Sequence, residues 1–212
     1  MIGMELAVSL LCVLYGALSC VRRKQPLFFK ILLYAMASYL LGTLFTAGFV
    51  LVYGNEPQGF HVGFLGRTGF YFFLLSSYYG AIDRLADGGE PRYRSCRLLS
   101  AAGPVLILVL LVCSIRQSGL KASVSLLIPA VPMGLTLYFA LKHLILPDVD
   151  LGIIQVMRPY NACVTAFCAV QACARAPVFS GTQVHTGLLF VSCILMLALL
   201  PMAEMGVRKW FI

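Results

Sequence analysis

The sequence predicts an all-α, polytopic integral membrane protein, a seven-transmembrane-helix bundle with no soluble domain. Of its 212 residues, 60% are apolar and only 11% are charged, whereas soluble domains average about 25% charged residues. The mean hydropathy is +0.91. Apolar runs close to the length of about 20 residues that crosses a bilayer alternate with short polar breaks. A water-soluble fold could not bury this much apolar surface.

Seven apolar runs define the predicted helices. The longest connection, 84–97, is too short to form a folded domain, and its Asp-Gly-Gly-Glu-Pro segment is typical of a turn. We therefore predict a single transmembrane domain. The predicted helices cover residues 4–21, 27–53, 60–83, 98–115, 122–141, 151–174 and 184–206.

Basic residues predict the orientation of the bundle. The predicted outer side of the membrane has only three Lys or Arg residues, Arg116, Lys121 and Arg175. Because cytoplasmic loops are enriched in Lys and Arg, this asymmetry predicts an external N-terminus and a cytoplasmic C-terminus in a cell membrane, with a bacterial inner membrane as the expected location. Facing anionic lipid head groups would account for most of the net charge of +8, so no nucleic-acid partner is predicted. The basic residues of the predicted cytoplasmic side are Arg22, Arg23, Lys24, Lys30, Arg84, Arg92, Arg94, Arg97, Lys142, Arg208 and Lys209.

Two helices have features that predict how they pack. Ala35, Ser38 and Gly42 give the second predicted helix a face of small residues, which lets another helix approach closely. In the fifth predicted helix Pro129 and Pro132 each remove an intrahelical hydrogen bond, which predicts a kink or local unwinding. Broken helices line cavities in transporters, and they also occur in bundles without a cavity.

Two arginines lie inside apolar runs, where a charged side chain is costly and needs a compensating partner. Arg67 lies in 60–83, with Tyr71 one turn later, and Arg158 lies in 151–174. Each arginine can form a structural ion pair with a carboxylate near a membrane boundary, or it can bind the anionic group of a lipid or small amphiphile through paired hydrogen bonds. The boundary carboxylates considered are Glu5, Asp83 and Glu204.

The sixth predicted helix carries a row of polar residues at steps of three and four, a spacing that favours one helix face. Lipid does not accommodate such a face, so we expect it to turn inward, either into a hydrogen-bond network or into a ligand or water pathway. The row consists of Gln155, Arg158, Asn161, Thr165 and Cys168. We favour Arg158 as the centre of a ligand site, because its helix supplies further polar groups on the same face. The predicted ligand-binding residues are Arg158, Gln155, Asn161, Thr165, Arg67 and Tyr71, among predicted helices three, five, six and seven.

Neither cysteines nor histidines predict a metal site or a cofactor. No two of the eight cysteines form a CxxC motif. We interpret them as free thiols that pack as small apolar residues. His61 and His185 fall at one predicted side of the membrane and His143 at the other. Their separation disfavours zinc and indicates polarity at the interfaces.

Comparison of motifs mostly excludes families. The last predicted helix has no lysine for a retinal, and the histidine cluster of ceramidase-type hydrolases is missing. In length and helix number the chain resembles the YhhN lysoplasmalogenase-like proteins, but it has Gly42 and Thr43 where an intramembrane Gly-Asp is expected. The seven-helix plan is also similar to bacterial membrane sensor modules. These resemblances imply a lipid-modifying enzyme and a receptor, respectively.

Three functions remain open. The leading hypothesis is a receptor-like or accessory protein, not an enzyme, that binds a lipid or anionic amphiphile in an intramembrane polar pocket. A lipid-modifying enzyme would use Asp83, Ser76, Ser77 or Tyr79 at the inner interface. A small-solute transporter would exploit the prolines of the fifth helix. The expected partners are membrane lipids, and a protein partner or a second copy of the chain is left open.

Overall fold

The structure, a computed structural model, describes residues 2–57, 60–81, 91–147, 153–176, 179 and 182–210. It is all-helical in these ranges, as predicted, with a 3-10 turn at Pro91–Tyr93 and no strand. Asp83 and the proposed turn before Pro91 lie outside the described residues. The helices are α1 (Ile2–Arg22), α2 (Leu27–Tyr53), α3 (Val62–Ala81), α4 (Arg94–Ser100), α5 (Ala102–Ala122), α6 (Val124–Ile145), α7 (Ile153–Arg175) and α8 (Gln183–Trp210).

The short helix α4 continues into α5, because Ala101 between them keeps right-handed helical backbone angles. Together they form one long apolar segment, Pro91–Leu120, so the eight helices make seven rods. This segment begins earlier than the predicted helix 98–115. The predicted loop 116–121 is also largely helical, since the chain turns at Gly119, whose φ of 76° is in the left-handed region that glycine tolerates.

Five of the rods are long and apolar enough to cross a membrane: Ile2–Arg22, Leu27–Tyr53, Pro91–Leu120, Leu126–Ile145 and Gln183–Lys209. The other two, α3 and α7, carry the intramembrane arginines. They face each other inside the bundle, where the rings of Phe70 and Phe167 lie 5.4 Å apart. Enclosure by more apolar helices explains how two polar helices fit the same bundle.

Six helices form a closed ring in the order α1, α2, α3, α6, α7, α8, with α8 packing back on α1. The segment formed by α4 and α5 lies outside this ring and packs mainly on α6. Helix directions alternate, so α1 begins at one end and α8 finishes at the other. We call these the N-terminal end and the C-terminal end of the bundle.

Helices α2 and α3 make the closest contact in the ring, and the small-residue face predicted on α2 forms it. Ser38 Oγ donates a hydrogen bond to the Gly66 carbonyl oxygen over 2.8 Å. A Cβ atom added at Gly42 would lie 2.5 Å from the carbonyl oxygen of Gly63 and 2.7 Å from the backbone nitrogen of Arg67. The prediction of a close helix approach at this face is confirmed.

Helix α6 runs from Val124 to Ile145 without interruption at Pro129 or Pro132. Of the two predicted distortions, local unwinding is therefore wrong, and the kink stays a prediction. Pro159 in α7 and Pro201 in α8 are also accommodated inside continuous helices. Packing against neighbouring helices holds a proline-containing helix together even though a backbone hydrogen bond is lost at each proline.

Candidate functional site

The side chain of Arg67 projects from α3 toward the first turn of α1. Its Nη2 atom donates to Glu5 Oε2 over 3.0 Å, and the two side chains are 23% and 9% exposed. The pair joins α1 to α3 across the top of α2, at the N-terminal end. Of the two alternatives for the intramembrane arginines, an ion pair with a boundary carboxylate is thus confirmed for Arg67.

The ion pair does not use all the hydrogen-bond donors at this position. Arg67 Nε and the hydroxyl of Tyr71 are buried and have no hydrogen-bond partner in the part of the chain that the structure describes. Tyr71 is fully buried. Most buried polar groups in proteins are paired, so two unpaired donors one helical turn apart on α3 indicate a missing acceptor.

A second arginine approaches Tyr71 from α7. Arg175, the last residue of that helix, has its Cζ atom 5.4 Å from the centre of the Tyr71 ring. Its Nε atom donates to Gln171 Oε1 over 3.3 Å, and Gln171 Nε2 donates to Ser192 Oγ of α8 over 2.9 Å. Gln171 therefore orients the guanidinium and fixes α7 against α8 at the same level.

The arginine cluster, as we call Glu5, Arg67, Tyr71, Gln171 and Arg175, has unbalanced charge. Among its described side chains two are cationic and one is anionic. Arg67 pairs with Glu5 over 3.0 Å, and Arg175 lies over the ring of Tyr71, one turn after Arg67 on α3, so the three charges lie in one region of the bundle. A positive region with spare donors is suited to an anion, because guanidinium groups bind carboxylates and phosphates through charge-assisted hydrogen bonds.

The arginine cluster lies near the N-terminal end of the bundle. Arg67 lies five residues into α3, about 7.5 Å along the helix axis, and Arg175 ends α7.

The predicted polar row on α7 divides into a buried part and an exposed part. Asn161 and Cys168 are buried and Thr165 is half-buried, with a hydroxyl that has no partner among the described residues. Gln155 and Arg158 are exposed. The expectation that the whole row turns inward is wrong for these two residues.

Helix geometry explains the division. Each residue turns the helix by about 100°, so a three-residue step falls about 60° short of a full turn. Two such steps separate Gln155 from Asn161, which places them about 120° apart around α7. Arg158 instead donates through Nη2 to the carbonyl oxygen of Leu146, over 3.4 Å, where α6 ends.

The buried residue Asn161 belongs to a separate polar contact deeper in the bundle. Its Oδ1 atom accepts a hydrogen bond of 2.8 Å from the Tyr78 hydroxyl. Tyr78 lies seven residues after Tyr71 on α3, about 10 Å along the axis. The structure therefore brings Arg67 and Tyr71 together and leaves Asn161, Thr165, Gln155 and Arg158 outside the arginine cluster.

Sequence reasoning missed two residues of the cluster, although a signal for them existed. Gln171 and Arg175 extend the polar row on α7 by further steps of three and four beyond Cys168, on its buried part. Glu5 was considered only as a boundary partner. Its contribution depends on how close α1 comes to α3, which the spacing within either helix does not reveal.

The hydroxyl groups considered for catalysis do not converge. Ser76 and Ser77 donate to backbone carbonyl oxygens of their own helix, at Phe72 and Leu74 respectively. Tyr79 is 72% exposed, and Asp83 lies outside the described residues. The structure thus supplies no observation that favours the enzyme hypothesis.

The three histidines are separated as predicted, but His143 is fully buried rather than interfacial. Its ring lies 5.7 Å from that of Tyr78 near the C-terminal end. His61 precedes α3 and stacks on Phe45 at the opposite end, with ring centres 6.0 Å apart. Within the described ranges no group of three or more His, Cys, Asp or Glu side chains is placed to hold a metal ion.

Comparisons with protein-family models, with curated proteins and with solved structures found no match for the chain.

Proposed function

We propose that this multi-pass membrane protein is a receptor-like or accessory protein that binds an anionic amphiphile, with the head group held by Arg67, Tyr71 and Arg175. The observation that carries the proposal is the pair of buried, unpartnered donors, Arg67 Nε and Tyr71 Oη, beside a second guanidinium. An anionic oxygen would satisfy both donors and offset the excess positive charge.

The proposal moves the centre of binding away from Arg158, which the sequence favoured. The exposed Arg158 side chain contacts the end of α6, and its role there is explained by that backbone contact. Gln155 is exposed near the same end of α7, and Asn161 pairs with Tyr78. Arg158, Gln155 and Asn161 form the alternative binding site, and the binding experiment below distinguishes it from the arginine cluster.

The proposal predicts that Tyr71→Phe weakens lipid binding without weakening the fold. The hydroxyl donates to no acceptor among the described residues, although Arg175 lies close enough to donate to it, so its removal should cost the free protein little stability. If the hydroxyl donates to a head group, its loss costs at least about 1.4 kcal/mol of binding, or tenfold in Kd. Native mass spectrometry in mild detergent with phosphatidylglycerol, and with phosphatidylcholine as the uncharged reference, measures the effect.

Matched variants locate the binding site. Arg175→Gln should weaken phosphatidylglycerol binding, whereas Arg116→Gln removes an exposed charge from α5 and should not. Arg158→Gln tests the site favoured by the sequence. Loss of binding with Arg158→Gln but not with Tyr71→Phe or Arg175→Gln would refute the proposed site, as would equal binding of both lipids by the unmodified protein.

A further inference from the structure

The net charge of the arginine cluster indicates which head groups it accepts. This inference rests on the proposed function. Glu5 already occupies one face of Arg67 through the 3.0 Å contact. Arg175 makes its described polar contacts with the neutral Gln171 and the Tyr71 ring. The free protein therefore holds two guanidinium groups and one carboxylate in the region of Tyr71.

The neighbouring side chains that the structure describes add no further charge at mildly alkaline pH. His61 lies closest along the chain, at the start of α3, and burial together with Arg67 lowers its pKa from the ordinary value, so its imidazole is neutral. The buried hydroxyl groups nearby, those of Tyr39 and Tyr71, are neutral as phenols. The described side chains of the site thus carry one net positive charge.

Burial makes charge matching selective. A head group with one negative charge neutralises the site, whereas a head group with two leaves a negative charge poorly compensated in a region with little water. The spare donors fit the same class, because Arg67 Nε and Tyr71 Oη match the two unesterified oxygens of a phosphodiester or the two oxygens of a carboxylate.

We infer that the arginine cluster selects amphiphiles whose head group carries a single negative charge, a phosphodiester or a carboxylate, and that Glu5 sets this preference. Glu5 supplies one of the two negative charges that offset the two guanidinium groups, so the ligand has to supply only one. It acts as a specificity-determining residue, since its own contact is with Arg67 and the head group contacts the remaining donors.

The inference is tested by comparing two lipids with the same acyl chains at pH 8. Phosphatidylglycerol is a phosphodiester with one charge. Phosphatidic acid is a phosphomonoester, and because the second pKa of such a group is about 6, it carries close to two charges. Binding constants from native mass spectrometry should favour phosphatidylglycerol by about tenfold or more in the unmodified protein.

Glu5→Gln should reverse the preference, because the site then carries two net positive charges. Glu56→Gln removes an exposed carboxylate from the loop at the same end and should leave the ratio unchanged. Tighter binding of phosphatidic acid by the unmodified protein, or a ratio that Glu5→Gln does not move, would overturn the inference and leave the proposed function standing. If neither lipid binds better than phosphatidylcholine, the proposed function fails instead. The unmodified protein's ratio decides the question even if Glu5→Gln does not fold.

Discussion

At the scale of single residues, the two carboxylates that are buried among the described residues, Glu204 and Glu5, have different surroundings. Glu204 on α8 is 3% exposed, and its Oε2 atom accepts hydrogen bonds from the Tyr15 hydroxyl over 2.6 Å and from Ser19 Oγ over 2.8 Å, both on α1. Arg208 pairs with its other oxygen. Glu5 has only Arg67 as an ion-pair partner in the described ranges. The fully satisfied carboxylate is structural, and the cluster with spare donors is the one suited to a ligand.

Tyr15→Phe tests the structural role of Glu204. Removing a hydroxyl that donates to a buried carboxylate should lower the free energy of unfolding by about 1–3 kcal/mol. Tyr34→Phe is the matched control, because Tyr34 is 59% exposed and makes no hydrogen bond with any residue that the structure describes. Thermal unfolding in detergent measures both variants. Equal midpoints for the two would show that the contact between Tyr15 and Glu204 contributes nothing to stability.

At the scale of helices, the contact between α2 and α3 positions the arginine cluster. The backbones meet at Gly42, Gly63 and Gly66, and Arg67 is the next residue on α3. Close backbone approach brings α3 far enough inward for the Arg67 side chain to reach Glu5 on α1. Small residues at this interface therefore determine where a functional side chain lies, besides stabilising the contact.

Gly42→Ala should destabilise the bundle and weaken phosphatidylglycerol binding together. The added methyl group would lie 2.5 Å from the Gly63 carbonyl oxygen, so the helices must separate, at a cost of about 1–3 kcal/mol. Gly48→Ala in the same helix is the control, since a methyl group there meets nothing within 4 Å. Thermal unfolding and lipid binding are measured for both. A Gly42→Ala protein as stable as Gly48→Ala would contradict the packing.

At the scale of the whole molecule, the closed ring explains why two polar helices occur in an apolar bundle. Helices α3 and α7 turn their polar faces toward each other, as the contact between Tyr78 and Asn161 shows. The outer surface of the bundle is apolar, with exposed residues such as Leu51, Leu108 and Val131. This arrangement suits a bilayer, because apolar side chains cover much of the outside and polar groups such as Tyr78 and Asn161 pair inside, although Gln155 and Arg158 near the start of α7 are exposed.

The distribution of basic residues predicts that the N-terminal end of the ring lies outside the cell. Asn55→Cys, in the loop after α2, should then react with a membrane-impermeant maleimide in intact cells. Lys24→Cys, between α1 and α2, should react only after the cells are permeabilised. Unmodified protein gives the background from its eight cysteines. Labelling in the reverse order would show that the bundle has the opposite orientation, with the arginine cluster at the cytoplasmic side.

The all-helical, membrane-type class, the small-residue face on α2 and the presence of arginines that need partners can all be predicted from the sequence. These properties follow from composition and from periodicity within single helices, which the chain encodes locally. The pairing of Arg67 with Glu5, the position of Arg175 over Tyr71 and the exposure of Arg158 could not be predicted and are known from the tertiary structure. The reason is that these contacts depend on helix rotation and on the order of helices in the ring. Polar residues at similar spacings can lie on either side of a helix, and long-range packing alone selects the side that faces the site.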